Sequence, residues 1–189
     1  MTPPFIDPTT IDPTNNGRII FTSQSEVVSD GIELREDGSW GLNDEVSHAM
    51  TLTVPGMFNC QDPAGFQHIP VKQYMTPGTK IYVFSFVDIN PQAMQAWNLI
   101  VNERLGKQGY DWLQILGEAA FPIPLSFLHI PGTEDCSEEN VREMKGIAPF
   151  ISGRTQTLVN SIGNQDTPQI LMNVCLNNPT IINFDGLWS

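Results

Sequence analysis

The spacing of apolar and polar residues changes period along this chain, from alternation in the first half to helical spacing in the second. Residues 1–16 have no period: prolines at positions 3, 4, 8 and 13 are interleaved with Asp, Thr and Asn, which predicts an extended arm, disordered or laid on a partner. Gly17 then opens Arg18-Ile19-Ile20-Phe21-Thr22, a β-branched and aromatic run that predicts a buried strand. Asp37-Gly38, within Glu33 to Trp40, carries the turn signal of a small hairpin. From His48 to Val54 the apolar residues Met50, Leu52 and Val54 alternate onto one face with His48 in register, so the histidine is predicted at the start of a strand, on its buried side. Met57 to Cys60, Gly65 to Val71 and Lys80 to Val87 supply further strands, for an antiparallel sheet of about five.

Helical signals follow. Asn90 is placed as an N-cap and Pro91 suits the first helical position, after which Met94, Trp97, Ile100, Val101, Arg104 and Leu105 recur at helical spacing until Gly106. Trp112, Ile115 and Leu116 mark a shorter helix after Gly109-Tyr110, and a Pro-rich connector runs from Phe121 to Gly132. Asp135 followed by Glu138 has the form of a capping box, which puts Cys136 in the first turn of a helix ending near Gly146. Thr167-Pro168-Gln169-Ile170-Leu171-Met172 reads as a capped helix start, and Thr180 to Phe184 as a strand. The pattern predicts an α+β fold in which the sheet packs against two to four helices. A chain of 189 residues, 40% apolar with 10 Phe and 4 Trp, has room for one sizeable core, so residues 17–189 are expected to form a single domain behind the arm.

Charge narrows the partners. Twenty-one acidic against nine basic residues give a net charge of −12, which opposes binding to nucleic acid and to anionic membrane surfaces. There is no apolar run of the ~18 residues that a spanning helix needs, and no basic region with an apolar signal core at the N-terminus. The expected location is therefore cytoplasmic or within a virus particle. Three cysteines, Cys60, Cys136 and Cys175, make an odd count without close pairs, so a disulfide framework is not expected and a reducing compartment is. No cofactor is called for: there is neither a phosphate-cradling glycine loop nor a G-x-S-x-G elbow, and Cys60, His68, His129 and Cys136 lack the pairwise spacing of metal ligands.

Cys136 is the residue with the most chemical promise. In the first turn of a helix its thiolate is favoured by unpaired amides and the positive end of the helix dipole. Against this, Glu134, Asp135, Glu138 and Glu139 crowd the thiol and raise its pKa, so a nearby imidazolium is needed. His48 points inward beside Ser47 and reads either as that base or as a core histidine satisfied by a carbonyl. His68 alternates with Phe66 and faces either solvent or the site, while His129 reads as loop packing.

In order, these pieces resemble the permuted NlpC/P60 family of papain-like cysteine hydrolases (YiiX/YebB-like), and more distantly the lecithin retinol acyltransferases. Gly17-Arg18-Ile19-Ile20-Phe21-Thr22 is similar to the family's G-D-I-hydrophobic opening strand, with Arg18 where Asp is customary. Ser47-His48-Ala49-Met50 is similar to its S-H-hydrophobic strand, Gly109-Tyr110-Asp111-Trp112 is a further match, and Asp135-Cys136-Ser137-Glu138 is similar to its C-S-E helix start. The resemblance spans roughly residues 17–185 and implies a papain-like fold with Cys136 as nucleophile, His48 as base and Asn59 orienting the histidine, Gln61 being the rival for that last role. It implies hydrolysis of an amide or ester, with peptidoglycan peptides the suggested substrates and acyl chains or other amides the rivals. The alternative, motivated by the Pro-rich arm and the Asn-rich C-terminal region, is a structural or interaction protein, such as a virion component, that docks on other proteins of an assembly through the N-terminal arm.

Overall fold

A computed structural model describes residues 3–23, 46–62, 65–106, 109–110, 133–134, 136–163 and 167–189. The hairpin expected at Glu33 to Trp40, the helix expected around Trp112, the Pro-rich connector and His129 lie outside the described residues. At the centre of the fold is β1 (Arg18–Ser23), flanked on one side by β2 (His48–Val54), β3 (Met57–Asp62) and β4 (Gly65–Pro70), and on the other by β5 (Lys80–Phe86). Beyond a short parallel pair, β6 (Gly109–Tyr110) and β7 (Thr133–Glu134), the last strand β8 (Ile182–Trp188) returns to pair with β5. The result is an open six-stranded sheet in the order β4-β3-β2-β1-β5-β8, with every neighbouring pair antiparallel.

β8 overlaps the strand expected over Thr180 to Phe184, runs on to Trp188 and joins the sheet as a sixth strand beyond the expected five or so. Val83 pairs with Gly186 and Phe84 with Phe184, so Asp185 is the extra residue of a bulge. Ser85 Oγ donates to Asp185 Oδ1 at 2.9 Å, and Arg18 Nε lies 3.0 Å from Asp185 Oδ2. The charged residue that interrupts the apolar alternation of β8 is thus the partner of the arginine that opens β1.

Both faces of the sheet are covered, which gives the molecule two apolar clusters. Ile19, Phe21, Ala49, Phe84 and Phe86 face the helices. Those are α1 (Pro91–Arg104), α2 (Cys136–Ile147), α3 (Gly153–Ser161) and α4 (Pro168–Asn177), and each contributes to that cluster. Asn90 caps α1 as expected, its Oδ1 accepting from Ala93 N at 2.9 Å, and Thr167 caps α4. The opposite face carries Ile20, Met50, Leu52, Phe58, Cys60, Ile81 and Val83, and is closed by Ile11 from the arm and by Val71 and Tyr74 from the turn after β4. No helix among the described residues is long and apolar enough to cross a membrane.

The arm lies on its own sheet. Phe5 bridges Leu187 in parallel, Leu187 N donates to Pro4 O at 2.9 Å and Ile6 N donates to Leu187 O at 3.2 Å, so residues 4–6 extend the β8 edge. Asp7 then caps a 3-10 turn, Pro8–Thr10, that delivers Ile11 to the second cluster. Close approach of the arm depends on Gly186, where an added Cβ would meet Pro4 O at 2.6 Å. Gly186→Ala is expected to lift the arm, at the ~1–3 kcal/mol typical of overpacking. In limited proteolysis residues 3–12 should be cut several-fold faster than in the parent chain; unchanged cleavage would show that the arm is not held by this edge.

Candidate active site

α2 turns an unusual stripe inward. Cys136, Glu139, Asn140 and Glu143 fall on one helical face, and all four are buried against the sheet. The strands below answer with Thr51 and Thr53 of β2 and with Asn59 and Gln61 of β3, also buried. Such polar groups under a helix are costly unless hydrogen-bonded, and most are. Glu143 Oε2 accepts from Thr51 Oγ1 at 2.6 Å and from Trp97 Nε1 of α1 at 2.6 Å. Asn140 Nδ2 donates to Met50 O at 2.8 Å. Arg104, in the last turn of α1, donates from Nε to Glu139 Oε1 at 3.0 Å and from Nη2 to Oε2 at 2.5 Å, a two-point grip, with Arg142 Nη1 a further 3.7 Å away from Oε2.

Burial dominates the titration of both carboxyls. Glu139 is pushed up to about 7 by desolvation, against the pull of Arg104 and with a further push from Glu143. Glu143 is pushed up to about 7 for the same reason, opposed by its hydrogen bonds from Thr51 and Trp97 and by Arg104.

Cys136 is the first residue of α2 and is 5% exposed. With Ala49, Asn59, Gln61, Phe66 and Glu139 it lines a narrow interstice that does not admit a water molecule. Asn59 therefore lies on the cysteine's face of the sheet, as does Gln61. Asn59 Nδ2 donates to Thr51 Oγ1 at 2.8 Å and to Thr53 Oγ1 at 3.1 Å. Its Oδ1, though buried, has no hydrogen-bond partner among the described residues.

His48 is placed elsewhere. It pairs in register with Thr22, beside the Ile20–Met50 pair of the second cluster, and its ring stands edge-on to Tyr74 at 6.4 Å between centroids. That is the sheet face turned away from α2, so the structure does not bring His48 to Cys136 or to Asn59. Two physical reasons account for the difference from the expected relay. Alternation correctly puts His48 in phase with Met50 and Leu52, but both faces of β2 are buried, and period alone does not say which one meets the cysteine. In addition, the β2–β3 register shifts between Thr51↔Asn59 and Val54↔Met57; an unshifted hairpin would set Asn59 opposite Leu52, on the face of His48.

Among the described residues, the histidine on the cysteine's face is His68. β4 pairs with β3 so that His68 is opposite Asn59 and Phe66 opposite Gln61, and Phe66 belongs to the helix-side cluster. The alternation of Phe66 with His68 was the available signal. The remaining partners of the site, Trp97 and Arg104, stand 46 and 35 residues before the glutamates they hold, so no local pattern links them.

No family model and no curated protein matches this chain.

The raised carboxyls make stability depend on pH. Between about 4.5 and 7 the folded chain holds protons on Glu139 and Glu143 that the unfolded chain releases, so their contribution is full below about 4.5 and is lost as pH rises through about 7. Tm is expected to fall from pH 5 to pH 8. Glu143→Gln, which keeps the shape and removes the charge, should flatten that fall and raise Tm at pH 8 by at least about 3 °C, the scale of one kcal/mol in a domain of this size. Parallel Tm–pH curves for the two proteins would contradict the assignment.

Proposed function

We propose that this chain is a thiol hydrolase of the papain-like, permuted NlpC/P60 kind, with Cys136 as the nucleophile that attacks an amide or ester carbonyl. The observation that carries the reading is the position of Cys136 at the first residue of α2, against the buried polar face of β2 and β3 that holds Asn59 and Gln61. The positive end of the α2 dipole favours a thiolate at this position, and backbone amides at a helix start are the kind of donor that meets the oxyanion formed when the carbonyl is attacked. Arg104 and the raised titration of Glu139 and Glu143 reduce the negative charge that would oppose the thiolate below about pH 7. The sequence motif Asp135-Cys136-Ser137-Glu138 points the same way, and peptidoglycan peptides are the substrate class that the resemblance suggests.

One observation favours a second reading, a non-enzymatic protein of an assembly such as a virus particle: the interstice beside Cys136 is too narrow for water, let alone substrate. The two readings part on the reactivity of the thiol. Cys175 is pushed up to about 12 by burial, and Cys60 is buried with its sulfur 3.4 Å from Tyr74 Oη, so both are poor nucleophiles. Iodoacetamide at pH 7.5 is expected to label Cys136 at least about tenfold faster than either, with all three equal after denaturation in urea. Slow, equal labelling of the folded protein would remove the hydrolase and leave the assembly protein.

A further inference from the structure

On the hydrolase reading, we propose that His68, held by Asn59, is the base that takes the proton of Cys136. His68 and Asn59 are direct cross-strand partners on the α2 face, where facing Cβ atoms stand about 5 Å apart and short side chains meet. Phe66, two residues and thus roughly 6.6 Å along the same face, lines the interstice with Cys136. Asn59, 1% exposed, lines it too, so the cysteine is joined there by a buried amide whose oxygen has no hydrogen-bond partner among the described residues.

The hydrogen bonds fix which way that amide points. Thr51 has a single hydroxyl proton and gives it to Glu143. Toward Asn59 it can only accept, so the NH2 of Asn59 must face Thr51 and Thr53, and Oδ1 must face away from them. His68 Nδ1 is likewise buried and has no hydrogen-bond partner among the described residues. An unmet acceptor and an unmet donor on paired residues each carry a penalty of ~1–3 kcal/mol, and a side-chain rotation that joins Nδ1–H to Oδ1 removes both. The proton is then fixed on Nδ1, and Nε2 presents its lone pair. Burial lowers the pKa of His68 and keeps the ring neutral and able to accept.

The steps balance. The thiol proton passes to Nε2 of His68, the sulfur forms a bond to the carbonyl carbon, and the π pair moves to oxygen. As the tetrahedral intermediate collapses, the carbon–nitrogen or carbon–oxygen bond breaks and the leaving atom takes the proton from Nε2. Water then bonds to the acyl carbon as it gives a proton to the same nitrogen, the carbon–sulfur bond breaks to release the acid, and the sulfur takes the proton back from Nε2.

The test uses the full chain and iodoacetamide at pH 6.5. His68→Ala and the more conservative His68→Gln are each expected to slow Cys136 alkylation at least about tenfold, while His48→Ala leaves the rate within twofold of the parent. Long-range 1H–15N spectra should show His68 as the Nδ1–H tautomer in the parent and a shifted tautomer balance in Asn59→Ala, a change that a purely structural role for Asn59 would not produce. If His48→Ala abolishes the reactivity and both His68 variants retain it, the base assignment is overturned and the hydrolase stands. If Cys136 is unreactive in the parent chain, the hydrolase falls and the base assignment with it.

Discussion

Glu143 is the group around which the helix side of this molecule is arranged. A carboxyl in the middle of a helix, fully covered by a sheet and a second helix, has to be met by donors, because an unmet buried acceptor costs ~1–3 kcal/mol and a charged one more. The donors come from two different elements: Trp97 from α1 and Thr51 from β2. One oxygen atom therefore fixes α1, α2 and the sheet against one another at a single point. The effect passes outward through Thr51, whose hydroxyl has no proton left for Asn59 and so dictates how the β3 amide is turned. The placement of Cys136 follows from the same anchoring, since the cysteine is seven residues, about two turns, before Glu143 on the same helix face.

That arrangement explains which features of the fold are legible in the sequence. Strands β1 to β5 announce themselves through β-branched and aromatic runs, and α1 through Asn90, Pro91 and its apolar spacing, because these signals are local. β8 is harder to read, since Asp185 occupies a bulge and is satisfied by Ser85 and Arg18 from other strands. α3 buries only Thr155 and Val159 and so has almost no apolar stripe to read. In β8 the residue that breaks the local pattern is explained by partners distant in sequence.

The same distinction holds at the site. Cys136 at a helix start is a local feature and is plain in the sequence. The glutamates on its helix look like a repulsive cluster of surface charge, whereas Glu139 and Glu143 are buried and provided with donors by α1. The face on which a histidine lies is decided by things that alternation does not contain: whether one or both sides of the sheet are covered, and where a hairpin takes up an extra residue. His48 and Asn59 are separated by these two facts, and His68 and Asn59 are brought together by the β3–β4 register.

A core chosen for stability alone would not be built this way. Apolar residues of matching volume can replace a buried polar network at no loss and often with gain, and the far side of this sheet, with Ile20, Met50, Leu52, Phe58, Ile81 and Val83, shows how readily the chain builds such a core. On the α2 side the strands instead hold Thr51, Thr53, Asn59 and Gln61 beneath Cys136, and leave Asn59 Oδ1 and Asn140 Oδ1 without hydrogen bonds among the described residues. Buried oxygens without hydrogen bonds among the described residues also occur at Asn16, Thr22 and Ser47, so what sets the α2 side apart is the run of four buried polar side chains on two neighbouring strands. That run lies beneath the start of α2, the placement that the proposed hydrolase requires and that packing for stability alone does not explain.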